Sequence, residues 1–352
     1  MRGGARLICV SGGKQSAVGR GRTRKVSVTL GAFVVAGALA VGLSGCSDDN
    51  TALTTPDGKT ISTSTTRIAD VNVVSPDRDY SKTCLAPTAS DDPQADVNRI
   101  VVTDPSLLDA ICALGIGSKV VAVTSAPNSV PAYLGPQLTS VPTIGTSPDA
   151  ATVGTAAPDV VLTTPDTAAS AKAFGSTRVA TIEPGDWRAQ FTEVADALGR
   201  ASQGPRLLDE FDTEARKTGK RMDAAHSRVS LVRFGNNSEV IAGTDSFAGQ
   251  ILSTVGVQRP ASQRTAGTTV LTDKNFKDAD ADLIYVSFEG SAGLAHGKEV
   301  LLSDRWLDMG APTWKRVLIV DDDVWYRSSG LAAAWLVLND VKGSLNGNSG
   351  SY

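Results

Sequence analysis

The sequence has few of the residues on which catalytic and metal sites depend. It has two histidines among 352 residues, His226 and His296. A serine hydrolase needs a histidine beside its nucleophile, and no G-x-S-x-G motif is present. Zinc and manganese sites usually bring several histidines and carboxylates together. A P-loop, a G-x-G-x-x-G motif and a C-x-x-C motif are also missing. The sequence therefore predicts no enzyme, no cofactor and no bound metal.

Cysteine is scarce as well, and its four positions indicate export. The basic segment GRGRTRK is followed by an uncharged stretch, residues 26–45, that ends at Cys46. The residues LSGC resemble the bacterial lipobox, so we expect cleavage before Cys46 and lipid attachment to its thiol. The alternative is an uncleaved signal anchor, since about 20 apolar residues can span a membrane. Between Cys84 and Cys112 we expect a disulfide rather than two separate thiols.

Basic residues are concentrated in residues 1–45, which contain seven bases and no acid. From Cys46 onward the chain has 27 bases and 37 acids, a formal charge of −10. Nucleic-acid binding depends on a basic surface, so this balance argues against it. Residues 46–80 are rich in Ser, Thr, Asp and Pro, which predicts a flexible tether with at most one short strand, IADVNVV.

Short apolar segments then alternate with helical patterns. VNRIVVT, SKVVAVTS, VPTIGT and PDVVLTT have the composition of strands, and segments such as PSLLDAICALG place apolar residues at helical spacing. This alternation predicts a parallel sheet with right-handed crossovers. Two helices follow in succession, the second about 20 residues or roughly 30 Å long, and the alternation restarts at RVSLVRFG. The sequence therefore predicts an α/β fold of two Rossmann-like lobes joined by a long helix.

This pattern divides the chain into six parts. We expect a signal peptide over 1–45, a tether over 46–80, an N-terminal lobe over 81–204, an interlobe helix over 205–227, a C-terminal lobe over 228–342 and a disordered tail over 343–352.

Large and charged side chains follow several predicted strands. Ligands of open α/β sheets bind outside the carboxyl ends of the strands, so these positions are candidates for a shared cleft. Arginines there would pair with ligand charge, and aromatic rings would stack on ligand faces. For each aromatic residue alone, packing in the core is an equally good interpretation. The candidates are Thr164, Trp187, Arg233, Trp325, Tyr326 and Arg327.

Two features of these strand ends need separate interpretation. Trp325, Tyr326 and Arg327 are three large amphipathic residues in a row, which argues against burial of all three. The run Asp321–Asp323 follows the apolar segment RVLIV, and we interpret it as a solvated strand end rather than a metal site.

The segments RIVVTDPSLLDAICALGIGSKVVAVTS and APDVVLTT resemble the N-lobe of bacterial ABC-transporter substrate-binding proteins for ferric siderophores, haem and cobalamin. IAGTDSFAGQILSTVGVQRP and WKRVLIVDDDVWYRSSGLAAAWLVLNDV resemble the C-lobe of the same family. The similarity covers residues 97–342, and the lipobox and tether make the chain most similar to actinobacterial FecB-type lipoproteins. The resemblance implies a periplasmic-binding-protein-like fold, a ligand cleft, limited hinge closure, a monomer and delivery of ligand to an ABC permease.

The resemblance also implies roles for single residues. Arg233, Trp325 and Arg327 match ligand-facing positions of the family, and Thr164 matches a cleft position that is often aromatic there. Trp187 follows a strand end that points the same way.

Permease docking in this family uses one acid near the tip of each lobe. Asp245 matches the acid of the C-lobe. The N-lobe acid would fall at Ala151, so Asp149 either replaces it or only caps a helix. This departure leaves the use of a permease open.

We therefore expect a lipid-anchored protein on the outer face of the cell membrane that captures a ferric siderophore or haem and performs no covalent chemistry. Cobalamin is an alternative ligand. A second alternative is a cell-envelope interaction protein that uses the same fold as a scaffold and leaves its cleft empty.

Overall fold

Two β-sheets organise the part of the chain that the structure, a computed structural model, describes: residues 65–175 and 177–346. The strands are β1 (Arg67–Ile68), β2 (Val71–Val73), β3 (Ile100–Val102), β4 (Val120–Val123), β5 (Val160–Thr163), β6 (Arg178–Thr181), β7 (Val229–Gly235), β8 (Ser238–Ile241), β9 (Thr269–Val270), β10 (Leu283–Phe288) and β11 (Val317–Ile319). The helices are α1 (Leu108–Ala113), α2 (Gly135–Thr139), α3 (Ala150–Ala156), α4 (Ala168–Ala171), α5 (Trp187–Ala197), α6 (Gln203–Arg221), α7 (Phe247–Val255), α8 (Gly290–Leu301), α9 (Asp304–Leu307), α10 (Gly310–Thr313) and α11 (Leu331–Ser344).

The N-lobe is built on a four-stranded sheet in the order β4-β3-β5-β6, and all of its strands are parallel. The central strands β3 and β5 are buried at every residue. Parallel strands are covered on both faces, which explains why these segments read as continuous apolar runs rather than alternating ones.

The C-lobe is built on a seven-stranded sheet in the order β1-β2-β11-β10-β7-β8-β9. Strands β2, β11, β10 and β7 are parallel, and antiparallel strands lie at both sides of them. The two-lobe α/β fold expected from the sequence is confirmed.

The helix α6 connects the lobes. It has 19 residues, a length of about 28 Å, and it packs against α5 of the N-lobe and α7 of the C-lobe. The approach to α7 is close at Gly219, where an added Cβ would lie 1.7 Å from the carbonyl oxygen of Val255.

Regular structure extends into the segments assigned to the tether and the tail. Strands β1 and β2 form a hairpin inside the segment assigned to the tether, and β2 pairs with β11. Val71 and Val73 pack on the C-lobe core, so burial of these side chains explains the order. At the other end, α11 continues to Ser344 and Leu345 is fully buried. The signal segment, Cys46, the tether up to residue 64 and the tail from 347 lie outside the described residues.

In the N-lobe the structure contradicts one further expectation and confirms another. The segment VPTIGT forms no strand; it contributes one isolated bridge, between Val123 and Thr143. The structure contains the disulfide between Cys84 and Cys112, with 4.5 Å between the Cα atoms. It links the segment that enters the N-lobe to α1.

None of the helices in the described ranges is long and apolar enough to cross a membrane.

Candidate ligand site at the carboxyl ends of the strands

Arg233 lies near the carboxyl end of β7. The direction of its side chain follows from the way side chains alternate between the two faces of the sheet. Val229 and Leu231 belong to one core cluster, whereas Val232 and Phe234 belong to the other. Arg233 is therefore on the face of Leu231. On the neighbouring strand β10, Ser287 is in register with Arg233. The two polar side chains thus end the same face of the sheet.

The guanidinium of Arg233 is held by two carboxylates. It donates bidentately to Asp322, with Nε–Oδ1 and Nη2–Oδ2 distances of 2.8 and 2.7 Å. Nη1 lies 3.3 Å from Oε1 of Glu289, and Ser287 donates to Oδ1 of Asp322 at 2.9 Å. The hydrogen bond to Asp322 raises the pKa of Arg233 further. Arg233 is therefore fully charged and already paired.

A π-helical turn, Asp323–Arg327, sends three successive large residues in different directions. Trp325 is 1% exposed, and its Nε1 donates to Oδ2 of Asp340 at 2.8 Å. The structure thus corrects the expectation that Trp325 faces a ligand, because the turn rotates its indole into the core. Tyr326 is partly buried, with Arg233 over its ring at 5.5 Å. Arg327 is exposed and pairs with Asp323 at 2.9 Å.

Behind Tyr326 lies a buried arginine that the sequence did not single out. Arg259 is 7% exposed, and its Nη2 donates to the carbonyl oxygen of Ala242 and to Gln263. Burial lowers the pKa of Arg259 to about 10 and raises the pKa of Tyr326, and the two groups interact electrostatically. Its Nε and Nη1 are buried without a hydrogen-bond partner among the described residues, so part of this guanidinium is unpaired.

Trp187 is a contact between the lobes and does not face a ligand. It begins α5, is 3% exposed and meets Phe211 of α6 and Phe247 of α7 edge-on. Its Nε1 donates to Oε1 of Gln250 at 3.0 Å. The sequence expectation is corrected because α6 and α7 cover the first turn of α5.

The N-lobe edge is lined by hydroxyl groups and a carboxylate. Thr164 follows β5, is 6% exposed and donates to Oδ2 of Asp104 at 3.0 Å. Thr103 donates to Thr163 at 2.7 Å, and the hydroxyl of Thr167 lies within hydrogen-bonding distance of all three threonines. The buried Thr164 therefore holds Asp104 at this edge, and Asp104 is the more exposed of the two.

The two carboxyl edges meet through Asp109, which lies in α1 of the N-lobe. Its carboxylate accepts from the backbone amides of Ala332 and Ala333 at 2.9 and 3.0 Å, and from the hydroxyl of Tyr133 at 2.9 Å. An N-lobe side chain thus caps the first turn of α11, where a negative charge is favoured. Burial raises the pKa of this carboxyl group.

A second contact closes the same junction. Tyr80 donates to Asp321, so each residue of the run Asp321–Asp323 has its own partner: Tyr80, Arg233 and Arg327. The interpretation of this run as a merely solvated strand end is therefore wrong. The sequence contained a signal for these contacts, because acids directly after a parallel strand lie close to the side chains at the carboxyl ends of the neighbouring strands.

The two acids matched to permease docking are both exposed. Asp245 accepts from the amide of Gly267 at 2.7 Å. Asp149 is the N-cap of α3 and accepts from the amide of Thr152 at 2.7 Å. Hydrogen bonds from Thr152 lower the pKa of Asp149. Asp149 thus has a capping role, and a docking role for either acid stays a prediction.

Comparison with known proteins agrees with this architecture. The family model described as periplasmic binding protein matches residues 100–324. The chain belongs to the periplasmic binding protein family. This confirms the resemblance drawn from the strand and helix segments of both lobes.

Individual relatives extend the match over most of the chain. The probable siderophore-binding lipoprotein YfiY of Bacillus subtilis is 28% identical over 274 residues, which are 72% of this chain and 84% of YfiY. Unliganded FhuD2 of Staphylococcus aureus has a TM-score of 0.58 at 18% identity and covers 70% of this chain and 98% of its own. SirA of the same organism, complexed with staphyloferrin B, has a TM-score of 0.56 at 20% identity and covers 72% and 94%. The two solved structures establish the fold alone.

Proposed function

We propose that this protein captures a ferric siderophore, or haem, between the carboxyl edges of its two lobes and passes it to an ABC importer without covalent chemistry. The observation that carries the proposal is the meeting of the two edges at Asp109 and α11. This contact supports a shared site for the Arg233–Asp322–Tyr326 cluster of one lobe and the Asp104–Thr164 pair of the other. The name of YfiY, a siderophore-binding lipoprotein, supports the same ligand class.

The residues present suit recognition rather than reaction. Tyr326 offers a ring face, Arg327 an exposed guanidinium, and the threonines after β3 and β5 offer hydroxyl groups. Such groups bind the oxygen-rich surface of a chelate by stacking and hydrogen bonding. Within the described residues, no three histidine, cysteine or carboxylate side chains are grouped to hold a metal ion. The iron would therefore arrive inside its chelator, as cargo.

We also propose the location. Cys46 would carry the lipid that anchors the chain to the outer face of the cell membrane. Asp245 and Asp149 would face the permease. Metabolic labelling with a palmitate analogue tests the anchor, with Cys46→Ser as the matched control that should lose the label.

Tryptophan fluorescence tests the binding function. All five tryptophans of the sequence lie between residues 187 and 335, so quenching by an iron chelate reports on both lobes. The full-length chain in a mild non-ionic detergent would be titrated with ferric hydroxamate, catecholate and carboxylate siderophores, haem and cobalamin. Saturable quenching at micromolar or lower concentration by a siderophore or haem is the expected result. Binding of cobalamin alone, or no binding at all, would contradict the proposal, and the second outcome would favour an interaction scaffold.

A further inference from the structure

We infer that Asp340 is a positioning residue for the candidate ligand site: from the interior it fixes the π turn that presents Tyr326 and Arg327, and its charge sets how tightly the chelate binds. Asp340 lies in α11 and does not face the site itself, because its side chain is 1% exposed. The inference rests on the proposed function and adds to it a residue that controls affinity from outside the binding surface.

The shape of the π turn depends on its buried side chains. Such turns are rare and are frequently found at functional sites. Val324 and Trp325 are buried, whereas the next two residues, Tyr326 and Arg327, are partly buried and exposed. The directions of Tyr326 and Arg327 therefore depend on how the side chain of Trp325 is held.

Asp340 holds Trp325 and joins it to the segment that follows β2. Its Oδ2 accepts from Nε1 of Trp325 at 2.8 Å, and the indole packs on the ring of Tyr285 with 4.7 Å between the centroids. The other oxygen, Oδ1, accepts from the hydroxyl of Ser75 at 3.0 Å and from the guanidinium of Arg78. One carboxylate thus links the turn to residues 75–78.

The same segment contacts the start of the turn. Tyr80 donates to Asp321, and the guanidinium of Arg78 lies 5.9 Å from the centroid of the Tyr80 ring. Asp321 in turn accepts from the backbone amide of Asp323, the first residue of the turn, at 2.9 Å. Residues 75–80 therefore hold the turn at its start and at its middle, and the charge of Asp340 keeps Arg78 in place.

Mild acid neutralises this carboxylate. Burial raises the pKa of Asp340 to about 6, although the charge of Arg78 opposes the shift. The other titratable groups that interact electrostatically with Asp340 are Asp321, which also raises its pKa, and two neutral tyrosines, Tyr80 and Tyr285. A neutral Asp340 leaves the guanidinium of Arg78, 12% exposed, without its countercharge, which is strongly unfavourable for a buried cation. We therefore expect binding to weaken as the pH falls through about 6.

The test measures dissociation constants at pH 8 and pH 5 by equilibrium dialysis of the full-length chain in a mild non-ionic detergent. The probe is whichever of the ferric siderophores or haem quenches tryptophan fluorescence at the lowest concentration. Asp340→Asn keeps the volume of the side chain, but its Nδ2 is a donor that faces another donor, Trp325 or Arg78. We expect the Kd of this variant to exceed that of wild type about tenfold at pH 8. The ratio should shrink to about twofold at pH 5, where the wild-type carboxyl group is itself mostly neutral.

Two further variants separate positioning from stability. Asp96→Asn makes the same change at a carboxylate of the N-lobe that also pairs with a buried arginine, Arg200, and its Kd should stay near the wild-type value at both pH values. Arg78→Gln removes the charge that lowers the pKa of Asp340, so its loss of affinity in acid should begin at a higher pH than in wild type. Arg78→Gln decides the question if Asp340→Asn does not fold, and thermal denaturation shows which variants are folded.

The ratio of dissociation constants cancels any effect of pH on the chelate itself. A ratio for Asp340→Asn that is near one at pH 8, or that is the same at pH 8 and pH 5, would overturn the inference and leave the proposed function standing. An Arg78→Gln protein with the wild-type pH profile would do the same. Absence of binding by the wild type to every ferric probe would overturn both.

Discussion

The arginines of this protein have two kinds of environment: some are buried and stabilise the fold, and others lie at the candidate ligand site. Arg200 is fully buried; its Nη1 donates to the carbonyl oxygen of Leu198 and its Nη2 to Asp96. Asp96 also binds Lys119, so one carboxylate serves two cations. Arg233 instead lies at the partly open edge between the lobes. Arg200 therefore stabilises the N-lobe, and Arg233 belongs to the candidate ligand site.

We predict that Asp96→Asn lowers the free energy of unfolding by about 2 kcal/mol at pH 7, because a buried guanidinium loses its countercharge. Burial opposes ionisation of Asp96, but hydrogen bonds from Lys119 and Arg200 lower its pKa below the ordinary 3.8. A lowered folded-state pKa gives stability that is present above the unfolded-state value and is lost as the pH falls. The difference between wild type and variant should therefore narrow below pH 4.

Urea denaturation at several pH values measures this difference. Glu210→Gln is the control, since Glu210 pairs with Arg206 at an exposed site and should cost less than about 0.5 kcal/mol. An equal cost for both variants, or a cost for Asp96→Asn that grows in acid, would contradict the assignment.

At the scale of elements, the sequence predicted the secondary structure of single segments but not the contacts between distant segments. The period of the apolar residues located α6 and β7 to within a few residues. It could not show that residues 323–327 form a π turn, which decides that Trp325 faces the core. It also could not show that Asp109 caps α11, because that contact joins residues 223 positions apart.

The start of α11 gives a matched pair of tests. At Gly330 an added Cβ would lie 2.2 Å from Oδ1 of Asp109, whereas at Gly343, in the last turn of the same helix, nothing lies within 4 Å. Gly330→Ala should push Asp109 away from the amides it caps and lower the free energy of unfolding by about 2 kcal/mol. Gly343→Ala should leave stability unchanged or raise it by up to about 1 kcal/mol.

Thermal denaturation of both variants measures these effects. A Gly330→Ala protein as stable as wild type would show that the contact between Asp109 and α11 contributes little to joining the lobes.

At the scale of the whole molecule, the sequence predicted the two lobes, the long helix and the family, because each rests on repeated local patterns. It allowed one short strand, IADVNVV, in the tether but missed the hairpin and its place in the C-lobe sheet, since β2 pairs with β11 from near the other end of the chain. It also missed that Trp187 joins α5 to α6 and α7. Both contacts depend on how distant segments assemble, which residue spacing does not record.

The disulfide acts at this scale, because it closes a loop between residues 28 positions apart. The double variant Cys84→Ser, Cys112→Ser should lower the free energy of unfolding by about 3–4 kcal/mol. Chemical denaturation without reductant measures the loss. Addition of reductant to the wild type should give a comparable loss, and no loss in either experiment would contradict a stabilising role.

The central claim is that one ferric chelate lies between the carboxyl edges of both lobes. Hydrogen–deuterium exchange of the full-length chain tests this most directly, measured with and without a saturating concentration of the ferric chelate that quenches tryptophan fluorescence at the lowest concentration. The account predicts slower exchange in peptides that contain residues 103–107 and 164–168 of the N-lobe and residues 321–328 of the C-lobe. Slower exchange confined to one lobe, or to segments away from these edges such as residues 66–77, would contradict it.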